Sequence, residues 1–315
     1  MTLPSLLPWL LLAAGIVGLA VGASWLVDGA SRLALRFGIS PMVVGLTIVG
    51  FGTSMPEFSV SVLAAARGST DLSLGNAVGS NIMNLLLVLG VAAVVVPIHV
   101  IGANKVLIRD LVFGLVPPVI LLVMARDGDI SRGTAILLLT VFVAFIWVAL
   151  TQAKKAEPAD LVVTGSPLRH LAVTVVGIAV LVGGSEMLVR GGVELARRFS
   201  VSEAVIGLTL VAFGTSLPEL ATSVTAVLKG ESEIGVGNVL GSNIFNLGLV
   251  VGTAFFLRPG AISTFVVYQD IPILIASTFV VGLIVLRDGR ISRAEGALML
   301  SIFTAYLIFI GIRGS

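Results

Sequence analysis

The chain has 315 residues, 57% hydrophobic and only 11% charged, with a formal net charge of +2 and a mean hydropathy of +1.12. A water-soluble domain carries about a quarter of its residues charged, so this composition excludes a soluble globular fold and indicates an integral membrane protein with several spans; so small a net charge gives no sign of nucleic-acid binding. The absence of cysteine excludes disulfides, thiolate metal sites and cysteine nucleophiles, and the two histidines, His99 and His170, are too few for a zinc site.

A helical span needs about 20 apolar residues. Runs of that kind fall at approximately 6–31, 41–66, 72–97, 106–125, 131–153, 168–190, 203–228, 234–258, 265–286 and 293–312. The first run resembles a signal peptide, but no positive charge precedes it, the first being Arg32, and it has a counterpart starting near Leu168. It is therefore read as a retained first span.

The second run contains Gly45 to Glu57, GLTIVGFGTSMPE, which returns at Gly207 to Glu219 as GLTLVAFGTSLPE, with 10 of 13 positions identical at an offset of 162. The third contains Gly75 to Leu85, GNAVGSNIMNL, which returns at Gly237 to Leu247 as GNVLGSNIFNL, with 8 of 11 identical at the same offset. Between the fourth and fifth runs RDGDISR (126–132) reappears as RDGRISR (287–293). The chain is thus two five-span repeats, 1–150 and 168–315, carrying repeated motifs at 45–85 and 207–247 and joined by a polar linker, 151–167. Because five is odd, the second repeat must enter the membrane from the opposite side. The predicted fold is an all-α polytopic membrane protein of ten transmembrane helices in two inverted five-helix repeats.

Lys and Arg number 11 on the linker side and 8 on the other. This puts the linker in the cytoplasm and both termini outside, with the chain in the plasma (inner) membrane.

Within the second span Pro56 lacks an N–H and clashes with the carbonyl of Gly52, so the helix must break or kink. Carbonyls near Gly50 to Thr53 are expected to lose their helical partners, and irregular backbone at membrane depth survives only where protein or a hydrated cavity satisfies it. Those carbonyls, the hydroxyls of Thr53 and Ser54 and the carboxylate of Glu57 make an all-oxygen cluster suited to a hard cation such as Na⁺ or Ca²⁺. Gly75 and Gly79 share a helix face that admits a close neighbour, and Ser80 and Asn84 align a hydroxyl and an amide on one face. Asn76 and Asn81 are read as a helix cap and an interhelical hydrogen bond rather than as ligands.

Proline kinks and Gly-X-X-X-Gly pairs alone indicate packing, but an ionised carboxylate at mid-span costs on the order of 3 kcal/mol. Inversion brings Glu57 and Glu219 together, where they favour a bound cation or a shared proton. Asp28, Glu186, Arg190 and Glu194 lie towards span ends and are read as interfacial or paired; Glu186 is singled out because its repeat partner is Ser24 and no cation is evident beside it.

These paired motifs, GTSMPE with GNAVGSNIMN and GTSLPE with GNVLGSNIFN, resemble the two alpha repeats of the sodium/calcium exchanger family within the cation/calcium antiporter superfamily, and the resemblance covers essentially the whole chain. It looks like a prokaryotic member without a large regulatory loop. The resemblance implies cation sites midway through the membrane between the second, third, seventh and eighth helices, all four broken. Glu57 and Glu219 would bridge Ca²⁺. Thr53 and Thr215, with the carbonyls of Gly50 and Ala212, would add oxygens. Ser54, Ser80, Ser216 and Ser242 would complete flanking Na⁺ sites, and Asn84 and Asn246 would face the centre. Several branches of the family carry Asp where this chain has Asn246. Here the glutamate pair supplies a charge of −2, which one Ca²⁺ balances and three Na⁺ would exceed by one.

The implied function is exchange of Ca²⁺ for Na⁺ by alternating access, the Gly-rich first and sixth spans (Gly15, Gly18, Gly22; Gly177, Gly183, Gly184) sliding across the rest. The protein would be no enzyme and need no cofactor beyond its transported ions. Alternatives are a Ca²⁺/H⁺ exchanger at the same site, a passive cation channel, and an intramembrane hydrolase with Ser54 as the one candidate nucleophile. A channel is disfavoured because two deep anionic ligands hold Ca²⁺ too long for fast conduction.

Overall fold

The structure, a computed structural model, describes residues 3–100, 104–152, 165–199 and 212–314. Residues 153–164 of the expected linker and 200–211, which include Gly207 to Val211 of the second motif, lie outside the described residues.

Helix α1 is Leu3–Phe37, and α2 (Pro41–Thr53) and α3 (Met55–Ala66) meet at an angle of 49°. There follow α4 (Thr70–Val95), α5 (Asn104–Met124), α6 (Arg132–Gln152) and α7 (Pro167–Arg198). The remainder are α8 (Ala212–Thr215), α9 (Leu217–Leu228), α10 (Ser232–Leu257), α11 (Val266–Asp288) and α12 (Arg293–Gly314). Among the described residues seven helices are long and apolar enough to cross a membrane, or eight if α2 and α3 form one span. Residues such as Trp147, Val143 and Leu298 expose apolar side chains outward, the surface a bilayer covers.

The all-α expectation needs one correction. Two-residue ladders join loops from the two halves: β1 (Ile98–His99) pairs with β4 (Arg290–Ile291), and β2 (Asp129–Ile130) with β3 (Gly260–Ala261), both antiparallel. Backbone groups just past the helix ends would otherwise be unpartnered. The turns at Gly128 and Gly289, with φ of 79° and 64°, are in the left-handed region that glycine tolerates.

The bent span breaks where Pro56 requires it. Ser54 sits at φ −81°, ψ 4° and its counterpart Ser216 at φ −92°, ψ 4°, each followed by a proline in the first turn of the next helix. The expected breaks of the third and eighth spans are not found: α4 and α10 run through, each widened by a π-helical stretch, Asn84–Val88 and Phe245–Val251. Neither stretch contains proline, so the helix absorbs the irregularity as a wider turn that still pairs its backbone.

Two packing seams position the rest. Helices α1 and α7 lie antiparallel along Gly15, Gly22 and Gly29 on one and Gly177, Gly184 and Gly191 on the other. A Cβ on Gly15 would lie 2.6 Å from Leu188 N, and one on Gly177 would lie 2.6 Å from Leu26 N; these contacts exchange under the 162-residue offset. Only glycine lets the backbones approach so closely, and close approach is what holds helices together where lipid competes with every apolar contact. Of the glycines expected on this face, Gly183 faces open space among the described residues.

The second seam joins α10 to α2, where a Cβ on Gly45 would meet Ile234 O at 2.6 Å and one on Gly237 would meet Leu46 N at 3.0 Å. Gly75 and Gly79, expected to receive a close neighbour, have none within 4 Å among the described residues. Their counterparts Gly237 and Gly241 pack on Met42 to Leu46, whose own counterparts, 204–208, lie outside those residues. Helices α4 and α10 are the most buried of the seven long apolar helices, 72% and 83% over their apolar stretches against 22–44% for the other five.

Candidate functional site

Helices α2–α3, α4, α8–α9 and α10 bring the predicted residues to one place. Thr53, Glu57, Asn84, Glu219, Ser242 and Asn246 are fully buried, and Ser54, Ser80, Thr215 and Ser216 expose 8% or less. The two glutamates are reached by serines of both repeats. Ser216 Oγ donates to Glu57 Oε1 at 3.3 Å and Ser80 Oγ reaches the same atom at 3.5 Å. In the mirror arrangement Ser54 Oγ donates to Glu219 Oε1 at 3.3 Å and Ser242 Oγ at 3.4 Å. Each carboxylate thus has one oxygen occupied by hydroxyls.

Around Thr53 the expectation of freed carbonyls is corrected at Gly50 and stands at Gly52. The Gly50 carbonyl still accepts Ser54 N–H at 3.1 Å, and the Thr53 hydroxyl lies 3.3 Å from it. Pro56 removes the bond to Gly52, two residues past Gly50, so the helix stays intact up to Thr53. The Thr53 hydroxyl also lies 2.9 Å from Asn238 Oδ1 and 3.2 Å from Ser242 Oγ. Ala212 opens the short α8, the fold position equivalent to Gly50.

The asparagines form a crossed set. Asn84 Nδ2 donates to Asn243 Oδ1 at 3.1 Å and Asn246 Nδ2 to Asn81 Oδ1 at 3.0 Å. Asn81 Nδ2 donates to the Asn243 carbonyl at 2.9 Å, and Asn243 Nδ2 to the Asn81 carbonyl at 3.2 Å. With each nitrogen committed to an acceptor, flipping Asn84 or Asn246 would set oxygen against oxygen. Asn81 is the interhelical bond expected of it. Asn76 is no cap: it lies inside α4 and donates to Ser61 Oγ at 2.9 Å, as its counterpart Asn238 donates to Ser223 Oγ at 3.0 Å. An amide between two packed helices finds its partner across the gap, because helix-interior N–H groups are already bonded.

Among the predicted site residues, four oxygens are buried without a hydrogen-bond partner: Glu57 Oε2, Glu219 Oε2, Asn84 Oδ1 and Asn246 Oδ1. Buried acceptors are rarely left unmatched, and an unmatched one costs about 1–3 kcal/mol, more when charged. Two carboxylate and two amide oxygens, backed by hydroxyls, are the donor set of a hard cation. Among the described residues there is no group of three or more His, Cys, Asp or Glu that could hold a metal ion, so a cation bound here would need neutral oxygens as well as the two glutamates.

The lower-ranked charges are paired: Asp28 with Lys229 at 2.7 Å, Glu194 with Arg198 at 3.3 Å and Glu186 with Arg190 at 2.6 Å. The last supplies the cation missing from the reading of Glu186, one helical turn on. Among the buried polar groups that escaped the sequence reading are Asn243, Asn238 and Asp110. Asn243 and Asn238 repeat Asn81 and Asn76, and that repetition was the available signal. Asp110 is fully buried in α5, 2.6 Å from Arg109 Nη2, within an apolar run that adjacent opposite charges interrupt. A cleft of about 470 Å³ lies between α7 and α3, running past Ser59, Gly183 and Glu186 to Gly214 and Thr215.

The sodium/calcium exchanger protein family matches residues 7–151 and 169–311. The chain is 39% identical to the putative antiporter CaxA of Alkalimonas amylolytica (93% of this chain, 95% of that one). It is 28% identical to the sodium/calcium exchanger MaX1 of Methanosarcina acetivorans (95% and 97%). The solved structure of the sodium-calcium exchanger NCX_Mj soaked with 10 mM Na⁺ and zero Ca²⁺ superposes with a TM-score of 0.84 at 29% identity, covering 98% of each chain. This multi-pass membrane chain, whose two matched stretches each carry one of the paired glutamate motifs, belongs to the sodium/calcium exchanger family of cation antiporters and is a transporter, not an enzyme.

Proposed function

We propose that the protein exchanges Ca²⁺ for Na⁺ across the inner membrane by alternating access, with Glu57 and Glu219 as the shared ligands of the competing ions. The observation that carries this reading is the quartet of buried, unpartnered oxygens on Glu57, Glu219, Asn84 and Asn246. Two carboxylates in a desolvated site repel each other. The loaded carrier reorients because Ca²⁺ or Na⁺ cancels that charge; the empty, doubly anionic carrier does not, and exchange rather than leak follows. Thr53, Thr215, Ser54, Ser80, Ser216, Ser242 and the carbonyls of Gly50 and Ala212 complete the coordination.

In this reading the chain has ten spans in inverted repeats, 1–150 and 168–315, with the 151–167 linker cytoplasmic and the termini outside. The pairwise exchange of contacts under the 162-residue offset supports it, as do the serine–glutamate and asparagine pairs. Helices α1 and α7, bound to each other along their glycine seam, move as a unit across the remaining helices.

A second reading, Ca²⁺/H⁺ exchange, is favoured by one observation: both central amides, Asn84 and Asn246, are neutral, so the site offers −2, which one Ca²⁺ or two protons balance. Uptake of ⁴⁵Ca²⁺ into proteoliposomes under voltage clamp separates the two. Dependence on internal Na⁺ and on voltage supports Na⁺ coupling; uptake driven by a pH gradient without Na⁺ moves the function to H⁺ coupling. Uptake needing neither gradient would overturn antiport.

A further inference from the structure

One end of α1 is tied to the site-bearing helices. Lys229, in the turn between α9 and α10, lies 2.7 Å from Asp28 and donates to Ser24 Oγ at 2.8 Å and to the Ser24 carbonyl at 3.1 Å. Two residues on, Glu231 accepts a hydrogen bond from Ser31 Oγ. Helices α9 and α10 carry Glu219 and Ser242, so these contacts fasten α1 to the site at the end holding Phe37 and Pro167.

The 162-residue offset carries Ser24, Asp28, Ser31, Lys229 and Glu231 onto Glu186, Arg190, Val193, Arg67 and Ser69. Arg67 and Ser69 belong to the turn between α3 and α4, at the opposite end of the molecule. There the corresponding tie is absent: among the described residues no side-chain hydrogen bond or ion pair links α7 to Arg67 or Ser69. Glu186 instead pairs with Arg190 at 2.6 Å, both side chains more than half exposed, and the cleft leading to Thr215 opens beside it. The molecule is latched at one end and open at the other.

We propose that Arg67 and Glu186 form the matching latch when the cleft closes and the Phe37 end opens. The inference rests on the alternating-access reading, in which the two repeats exchange conformations. A literal image of the Lys229–Asp28 pair would set Arg67 against Arg190, two like charges. The repeats resolve this by shifting the acid one turn along the helix: where the first repeat has Ser24, already in contact with Lys229, the second has Glu186. That accounts for a carboxylate with no acidic counterpart. In the open state Glu186 is held by Arg190; on closure it transfers to Arg67, and the Lys229 contacts with Asp28 and Ser24 break. Exposed ion pairs are weak, so each latch biases the equilibrium rather than locking it.

The chain has no cysteine, so Ser59→Cys, on the exposed wall of the cleft, gives a single reporter. Its labelling by a water-soluble maleimide, in protein reconstituted into proteoliposomes, measures how much of the protein has the cleft open. Lys229→Gln is expected to lower the labelling rate roughly two- to fivefold, the range an exposed ion pair supplies. Adding Arg67→Gln or Glu186→Gln to Lys229→Gln is expected to restore it. Arg190→Gln, which frees Glu186 for Arg67, is expected to lower labelling by itself, and the exchanged pair Arg67→Glu with Glu186→Arg to leave the effect of Lys229→Gln intact. If Lys229→Gln lowers labelling and neither second change restores it, the Arg67–Glu186 latch is overturned while alternating access stands. If labelling answers neither to Lys229→Gln nor to replacing Na⁺ with Ca²⁺, the alternating-access reading fails and the latch with it.

Discussion

Asn81 and Asn243 face each other across the two repeats, each side-chain nitrogen donating to the other's backbone carbonyl, at 2.9 and 3.2 Å. Their side-chain oxygens in turn accept from Asn246 and Asn84. One reciprocal pair therefore crosslinks α4 to α10 and fixes which atom of each central amide is left for an ion. Neither residue need touch the ion to decide how well it is held.

Asn81→Ala and Asn243→Ala are each expected to lower thermal stability by about 1–3 kcal/mol, because each strips buried partners from the opposing helix. Both are also expected to raise the Ca²⁺ concentration for half-maximal uptake, since Asn246 or Asn84 is then free to rotate its oxygen away. The two should act alike, as the contacts are reciprocal. Thermal unfolding of the purified protein and Ca²⁺ titration of uptake check this; a loss of stability with an unchanged half-maximal concentration would make the pair structural only.

Glu57→Gln and Glu219→Gln keep the shape of the side chain and remove a charge from a fully buried position. Each is expected to abolish exchange while leaving the ion-free protein folded, with unfolding no easier than in the parent, because an unmatched buried charge opposes folding. The stabilisation that saturating Ca²⁺ gives the parent, about 2.7 kcal/mol at a hundredfold excess over its dissociation constant, should vanish. Melting curves with and without Ca²⁺ report this independently of transport. Near-normal flux in both variants would sink the glutamate assignment.

How much of this was legible beforehand divides along physical lines. The repeat offset, the break at Pro56 and the burial of Glu57 and Glu219 were readable, because proline chemistry and the cost of a charge in lipid act locally. Asn76 was misread as a cap because a cap and an interhelical bond require the same residue type; only the packing of α4 on α3 selects Ser61 as its partner. The continuity of α4 and α10 through π-helical turns was invisible because glycine and asparagine permit a break without imposing one. The Lys229–Asp28 pair joins residues about 200 apart in sequence, a separation no local pattern spans.

The glycine seam makes a contrast within one helix. Gly177→Ala would drive a Cβ to 2.6 Å from Leu26 N, backbone that cannot swing aside, so it is expected to destabilise the protein by about 1–3 kcal/mol. Gly183→Ala, six residues on, meets nothing within 4 Å among the described residues and is expected to be neutral or to stabilise α7 by up to about 1 kcal/mol through helix propensity. Gly15→Ala should reproduce the Gly177 effect, since its Cβ meets Leu188 N at the same distance. Comparative melting temperatures in one detergent suffice; equal effects at positions 177 and 183 would mean that α1 and α7 are not in backbone contact.

Asn246→Asp tests the charge of the site directly. It raises the acidic charge from −2 to −3, which three Na⁺ balance and one Ca²⁺ does not. It also replaces the Nδ2 donor, now 3.0 Å from Asn81 Oδ1, with an oxygen that faces another acceptor. Relief requires Asn81 to flip, which surrenders its bond to the Asn243 carbonyl, or the new carboxyl to hold a proton and donate it. If Na⁺ is the counter-ion and charge limits its binding, the variant should take up Ca²⁺ at a lower internal Na⁺ concentration than the parent, while its ion-free melting temperature falls. If H⁺ is the counter-ion, Na⁺ should remain without effect and uptake should shift along the pH axis instead, because a third titratable group has joined the site. A variant with the parent's Na⁺ response, pH profile and melting temperature would show that Asn246 neither faces the ions nor depends on Asn81.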